Sequence, residues 1–194
     1  MTTPLMIKLD SKKCVIFGGG KVATRKVKFL LEERADITII SENISEELQA
    51  LLPRFHYVNI RINNLDDMLT YVPTNCFLAV VATNNRELNE RIANKVSIHV
   101  PLINIVDNQS SSNFFFPAYI KQGHLKIAVS TSGASPILAK TIKQHLQKEF
   151  GPEYKDYLEQ LQAERVWALR NLHTETERKA HLQKITKFPL NKER

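Results

Sequence analysis

Apolar residues along this chain fall into short runs that alternate with amphipathic stretches. The continuous run Val15–Phe17 predicts a strand buried on both faces. Four later segments also predict strands, and the stretches between them have helical spacing, with Ser45 as the N-cap of one short helix. Alternation of strands and helices over residues 12–107 is typical of an α/β fold with a doubly wound parallel sheet. The predicted strands lie in KCVIFGG, ADITIISE, HYVNIRI, CFLAVVAT and PLINIVD.

The pattern changes after Asp107. A polar stretch, NQSSSN, is followed by two strand-like pieces around a turn at Gly123, which predicts a small α+β region. An amphipathic helix is then expected, with Ser135 as its N-cap and Pro136 at its first position. Charged helical sequence continues from Glu153 to about residue 186. We therefore expect three parts: residues 1–113, 114–150 and 151–194.

A glycine-rich turn follows the first predicted strand. Gly18, Gly20 and Ala23 fit the pattern G-x-G-x-x-A between a strand and a helix. In a Rossmann-type dinucleotide site the first glycine permits a tight turn and the second lets a pyrophosphate approach the backbone. Ala23 permits close packing of the helix on the strand, and the helix N-terminus favours the phosphate charge. The alternative is a glycine turn that holds no ligand. The cofactor-binding candidates here are Gly18, Gly20, Lys21, Val22 and Ala23.

Two later strand ends supply further cofactor candidates. Ser41, Glu42 and Asn43 end the second strand, where an acidic side chain usually binds the ribose. Glu42 fits that role, although Ser41 has the more usual position, and no arginine in this segment could bind a 2′-phosphate. NAD is therefore favoured over NADP. Thr83 and Asn84 are expected to face the nicotinamide half, and capping of the next helix is an alternative that is compatible with that role.

Composition indicates an ordinary cytoplasmic protein. No stretch approaches the roughly 20 apolar residues of a membrane span, and the first residues lack the pattern of a signal peptide. Cys14 and Cys76 lie in strand-like runs and are expected to be small buried hydrophobes in a reducing compartment. The six histidines are scattered, with no metal-ligand spacing, so no preformed metal site is predicted.

Charge is unevenly distributed along the chain. Residues 1–113 hold 13 basic and 12 acidic side chains, whereas residues 114–194 hold 14 and 8. The basic excess of the second part suggests an anionic partner, and a solvated helical surface is the alternative. No helix-turn-helix pattern and no dense basic stripe with aromatics is present, so nucleic-acid binding is not expected.

Five motifs together resemble the siroheme-synthase N-terminal family. They are VIFGGGKVATRK, AVVATNNRELN, NIVDN, FFFPAYI and AVSTSGASPILAKTIK, in the family's order and spacing, and the resemblance covers roughly residues 4–185. The family comprises precorrin-2 dehydrogenases, some of which are also sirohydrochlorin ferrochelatases. The chain has no room for the methyltransferase domains of the fused enzymes, so it resembles a stand-alone version.

This resemblance implies a Rossmann domain, a dimerisation region and a helical C-terminal domain in an interlocked homodimer. It implies NAD-dependent oxidation of precorrin-2 to sirohydrochlorin, with Asp107 as the key carboxylate. Asp107 would act as a base or stabilise positive charge on the substrate; on its own sequence context it could equally form a turn. Ferrochelatase activity is left open. A non-catalytic dinucleotide-sensing module is the alternative function.

Substrate contacts are expected in the basic second part, because precorrin-2 is an anionic tetrapyrrole. The candidates around the Gly123 turn are Lys121, His124 and Lys126, with surface solubility as the alternative for each. Small hydroxyls before the next helix could bind a carboxylate or merely cap the helix. Those residues are Ser130, Thr131 and Ser132. The aromatic cluster of FFFPAYI, together with LKIAVS, predicts the homodimer interface.

Overall fold

Five parallel strands form the centre of the first of two units into which the chain divides. The computed structural model describes residues 2–106, 108 and 110–188, and the first unit ends at Phe115. The strand order β3-β2-β1-β4-β5 is that of an open Rossmann-like sheet, so the predicted fold class is confirmed. The strands are β1 (Lys13–Phe17), β2 (Asp36–Ser41), β3 (His56–Asn59), β4 (Leu78–Val81) and β5 (Leu102–Ile105).

Four helices connect these strands. Ser45 caps α2 as expected, since its side chain accepts a hydrogen bond from the Leu48 amide. The helix α3 was not predicted, because it is only five residues long; Asn64 caps it by accepting from the Asp66 amide. The helices are α1 (Lys21–Glu32), α2 (Glu46–Gln49), α3 (Leu65–Leu69) and α4 (Arg86–Val96).

The core lies against the central strands β1 and β4. Val15, Ile16 and Phe17 are fully buried, as continuous apolar runs in a sheet covered on both faces should be. Cys14 and Cys76 are buried free thiols, which confirms their expected role as small hydrophobes. Burial raises the pKa of Cys14 to about 12, with a further contribution from Cys76, so this thiol stays protonated near neutral pH.

The polar stretch after β5 hydrogen-bonds to the open edge of that strand. The Asn113 Oδ1 accepts from the Ile103 amide at 2.7 Å, and the Ser112 hydroxyl accepts from the Ile105 amide at 2.9 Å. Side chains thus replace a neighbouring strand and satisfy the backbone groups of an edge strand. The segment that was predicted to be a turn therefore also covers the edge of the sheet.

The second unit begins at Phe116 with an antiparallel hairpin. Its turn is at Gly123, which has φ of +58°, and its register pairs Lys121 with Lys126. Ser135 caps the following helix and Pro136 is its first residue, as predicted. Among the described residues, no helix has the length and apolar character needed to cross a membrane. The elements are β6 (Ala118–Gln122), β7 (Leu125–Val129), α5 (Pro136–Glu149), α6 (Glu153–Asn171) and α7 (Glu175–Ile185).

Candidate cofactor-binding site

The three consecutive glycines between β1 and α1 have three different surroundings. A Cβ on Gly18 would lie 2.8 Å from the carbonyl carbon of Ala82, and Gly18 has φ of +106°. A Cβ on Gly19 would lie 2.8 Å from the Cα of Ile44. Gly18 and Gly19 therefore let the turn pack between the ends of β4 and β2, where no side chain fits.

Gly20 differs because its surroundings are open. Among the described residues, no atom beyond its chain neighbours lies within 4 Å of the position of a Cβ on Gly20. Its φ of −83° is one that any residue adopts. The conformation and packing of this chain thus do not require a glycine at position 20, and the open surface is where a ligand would approach the backbone.

The N-terminus of α1 points at this open surface. Gly20 is the N-cap; no described side chain caps the helix, and its first turn contains no acidic residue. The first N–H groups of an α-helix have no partner within the helix and carry a partial positive charge. Ala23 is fully buried, as close packing of the helix on the sheet requires. The turn therefore fits the pyrophosphate of a dinucleotide.

The segment after β2 presents Glu42 beside an arginine that follows β3. The Glu42 Oε2 lies 3.9 Å from the Arg61 Nε, and both side chains are exposed. The Ser41 hydroxyl instead donates to the Asn43 carbonyl at 2.7 Å, so its hydrogen is used within the turn. The segment itself has no arginine, but the parallel pairing of β2 with β3 brings Arg61 next to it. Glu42 is thus a carboxylate with an adjacent guanidinium.

The end of β4 is fixed by hydrogen bonds to Thr83. The Asn89 Oδ1 accepts from the Thr83 amide at 3.1 Å, and its Nδ2 donates to the Thr83 carbonyl at 3.2 Å. The cap of α4 is Asn85, whose Oδ1 accepts from the Leu88 amide at 3.0 Å. The alternative that Thr83 and Asn84 cap this helix is therefore wrong, and Asn84 is exposed at the carboxyl edge of the sheet.

Asp107, the expected key carboxylate, lies outside the described residues. Its described neighbours in the chain follow β5: the Val106 amide donates to the Val81 carbonyl at 3.1 Å, and the Asn108 Nδ2 donates to Glu90 at 2.9 Å. The carboxyl ends of β4 and β5 are thereby joined at their edge of the sheet.

In the second unit, the hairpin brings the predicted basic residues together. Lys121 and Lys126 are direct cross-strand partners with exposed side chains, and His124 is exposed in the turn between them. Directly opposite residues of an antiparallel pair lie on the same face, so the two ammonium groups share one face of the hairpin.

The hydroxyl residues before α5 form a compact turn. The Thr131 hydroxyl accepts from the Ser135 amide at 3.0 Å, and the Ser130 hydroxyl accepts from the Ser132 amide at 3.1 Å. Ser135, rather than any of the three predicted residues, caps the helix. Ser130 and Ser132 therefore shape the turn without capping α5.

Two family models match the chain. The family described as putative NAD(P)-binding matches residues 5–118, and the family described as sirohaem biosynthesis protein central matches residues 122–149. The first covers the glycine turn and all five parallel strands, and the second covers most of the hairpin and α5. The first unit is therefore an NAD(P)-binding domain.

Individual relatives narrow the family further. A precorrin-2 dehydrogenase of Bacillus subtilis is 35% identical over 147 residues, which cover 75% of this chain and 86% of that protein. This chain belongs to the precorrin-2 dehydrogenase family. A second family member, from Priestia megaterium, is 31% identical over 179 residues and matches 92% of this chain.

A solved structure and a longer relative also match this precorrin-2 dehydrogenase family member. The structure of SirC, a precorrin-2 dehydrogenase, matches with a TM-score of 0.79 and 28% identity over 96% of this chain and 90% of that one. The siroheme synthase of Actinobacillus succinogenes is 33% identical over 144 residues, but the match spans only 29% of that protein. The chain thus spans less than a third of the length of the siroheme synthases it matches.

Sequence reasoning missed three residues that contact the candidate site residues. Gly19 carried no signal in the G-x-G-x-x-A pattern, Asn89 resembled an ordinary polar helix residue, and Arg61 is far from Glu42 in sequence. The consecutive glycines could have identified Gly19, because a third glycine in a turn often marks a close backbone contact. Among the described residues, no group of three or more histidine, cysteine, aspartate or glutamate side chains could hold a metal ion.

Proposed function

We propose that this protein oxidises precorrin-2 to sirohydrochlorin with NAD as the cofactor. One observation carries the proposal: Gly20 presents an open backbone surface at an uncapped helix N-terminus. It does so in a chain that matches stand-alone precorrin-2 dehydrogenases over most of their length. The packing of this chain gives no other reason for glycine at position 20.

This chain's residues bind and orient the cofactor. The amides at the start of α1 would hold the pyrophosphate, with Lys21 and Val22 in the first turn. Glu42 would accept hydrogen bonds from the adenosine ribose, with Ser41 and Asn43 shaping the turn beside it. Thr83 and Asn84 would line the nicotinamide half at the carboxyl edge of the sheet. NAD, when bound, supplies the hydride acceptor.

Asp107 would accept the proton that leaves the substrate, or stabilise the positive charge on the tetrapyrrole. Dehydrogenation removes a hydride and a proton, so the site needs a group that accepts the proton or stabilises positive charge on the tetrapyrrole. A carboxylate can do either. The support for Asp107 is its place in NIVDN, two positions after the last parallel strand ends, in the part of the chain where open α/β sheets bind ligands.

Ion pairing with the hairpin lysines would hold the carboxylates of the tetrapyrrole. We expect Lys121→Gln together with Lys126→Gln to raise the KM for precorrin-2 about 5- to 30-fold, as a loss of 1 to 2 kcal/mol implies. The KM for NAD should stay unchanged.

Salt should have a similar effect on the wild-type protein. Its KM for precorrin-2 should rise steeply with salt concentration, because the screening length is only about 8 Å at 0.15 M. Steady-state kinetics at several salt concentrations measure both effects.

A matched double variant controls for net charge. Lys179→Gln with Lys184→Gln removes the same charge from exposed positions of α7 in the same unit. Equal effects of the two double variants, or equal salt dependence for precorrin-2 and NAD, would show that the hairpin lysines do not bind the substrate.

Cofactor choice would depend on Glu42. We expect Glu42→Ala to weaken NAD use and improve NADP use, shifting the ratio of their kcat/KM values about 10- to 100-fold, because hydrogen bonds to a charged group contribute about 1.5–3 kcal/mol. Arg61 would then be released to bind the 2′-phosphate. Glu47→Ala is the control, since Glu47 is an exposed carboxylate paired with Lys28. An unchanged ratio would exclude Glu42 from the ribose site.

The protein would act as a homodimer in the cytoplasm. Phe115 is 40% exposed in the first unit, and Ile137 and Leu138 on α5 are 80% and 50% exposed in the second. Large exposed apolar groups indicate an interface. We expect light scattering at micromolar concentration to give the mass of two chains, and Ala128→Glu on the exposed side of β7 to shift it toward one. A wild-type monomer would contradict this proposal.

Turnover distinguishes the enzyme from a dinucleotide-sensing module. Purified protein should produce NADH only when both precorrin-2 and NAD are present. Binding of NAD with no NADH formed would favour the regulatory alternative.

A further inference from the structure

Asn89 is a buried polar side chain with an unusual set of partners. It lies in the first half of α4 and is only 2% exposed. Its Oδ1 accepts from the Thr83 amide at 3.1 Å and from the Thr83 hydroxyl at 2.5 Å, while its Nδ2 donates to the Thr83 carbonyl at 3.2 Å. All three hydrogen bonds therefore go to one residue, six positions earlier in the chain.

These bonds are not needed to begin the helix. Asn85 already caps α4 through the Leu88 amide, and Glu87 places a favourable negative charge in its first turn. What the Asn89 amide fixes is the conformation of Thr83, including its main-chain N–H and C=O. Thr83 follows β4 at the carboxyl edge of the sheet, where the cofactor is expected.

The same stretch of backbone packs directly on the glycine turn. A Cβ on Gly18 would lie 2.8 Å from the Ala82 carbonyl carbon and 3.1 Å from the Thr83 nitrogen. The peptide between Ala82 and Thr83 is thus held between the Asn89 amide on one side and Gly18 on the other. A shift of this peptide would move the surface against which the cofactor-binding turn rests.

We propose that Asn89 is a positioning residue for the dinucleotide site, because it holds the Ala82–Thr83 peptide against Gly18. This inference rests on the proposed use of NAD, but not on the identity of the oxidised substrate. It assigns a function to a buried residue outside the glycine turn, which would act through Thr83. Buried amide networks of this kind fix one backbone arrangement when every member is satisfied.

The test replaces Asn89 by Asp, which keeps the shape but turns the donor facing the Thr83 carbonyl into an acceptor. We expect the Kd for NADH, measured by fluorescence without tetrapyrrole, to rise about 10- to 100-fold, because the glycine turn would lose the surface on which it packs. The KM for NAD should rise in parallel, while the KM for precorrin-2 stays near the wild-type value. Circular dichroism at 15 °C verifies that the variant is folded.

Asn94→Asp is the matched control, because Asn94 is exposed on the same helix and the chemical change is identical. If Asn89→Asp is unfolded at 15 °C, Asn89→Ala carries the test, since it introduces no buried charge. A folded Asn89 variant with a lowered Tm but the wild-type Kd for NADH would overturn the proposal and leave Asn89 a purely structural residue. Wild-type protein that binds NADH but does not oxidise precorrin-2 would refute the proposed function alone.

Discussion

Gly20→Asp is expected to reduce NAD affinity more than 100-fold and to leave the free energy of unfolding within about 0.5 kcal/mol of the wild type. A Cβ at this position has open space, and the backbone conformation suits any residue. A carboxylate there would occupy the place of the pyrophosphate and repel it; juxtaposed like charges cost several kcal/mol, and each 1.4 kcal/mol is a tenfold loss of affinity. Calorimetric titration and urea unfolding measure the two quantities.

Gly19→Ala is the control with the opposite expectation, because it should lower the stability of the fold. Its Cβ would overlap the backbone of Asn43 and Ile44, which cannot move as a flexible side chain could. We expect this variant to lose about 3 kcal/mol of stability. If Gly20→Asp keeps its NAD affinity, the glycine turn is not the cofactor site. If it unfolds, the packing of the chain does require glycine at position 20, and no ligand is needed to account for this glycine.

Asp107→Ala is expected to fold, bind NAD normally and lose turnover by a factor of about 10² to 10⁴, the usual contribution of a positioned acid or base. The reason is chemical: a proton must leave precorrin-2, and Asp107 is the carboxylate that the family resemblance assigns to this step. Stopped-flow or steady-state assays with saturating NAD measure kcat, and calorimetry measures the unchanged NAD affinity.

Asp107→Asn separates charge from shape, because the amide retains the hydrogen-bonding geometry of a turn but not the negative charge. We expect it to be as inactive as the alanine variant. Turnover near that of the wild type in both variants would exclude Asp107 from catalysis. Loss of folding in the alanine variant, with recovery in the asparagine variant, would favour the turn-forming role.

Local patterns predicted the parallel sheet, because β1 and β4 are continuous apolar runs and the segments between the strands have helical spacing. Ser45, Ser135 and Pro136 occupy the positions that their chemistry favours. The helix α3 escaped prediction because five residues give too few apolar repeats for helical spacing to be recognised.

The site was harder to predict because much of it depends on contacts between distant segments. Gly18 and Gly20 follow from a motif, but the need for Gly19 arises from the backbone at Asn43, which only the folded chain brings near. Arg61 lies beside Glu42 only because the strands before them pair, although the two residues are 19 positions apart in the sequence. Asn89 hydrogen-bonds to Thr83, which lies on the other side of a turn. Asp107 was assigned by family resemblance, since an aspartate after a strand is also an ordinary turn former.

The most direct test of the central claim is the absorption spectrum of precorrin-2 incubated with the purified protein and NAD, followed together with NADH formation. We predict conversion to the spectrum of sirohydrochlorin with one NADH formed per tetrapyrrole, and no conversion with Gly20→Asp. An unchanged tetrapyrrole spectrum, with wild-type protein that is folded and saturated with NAD, would contradict the account.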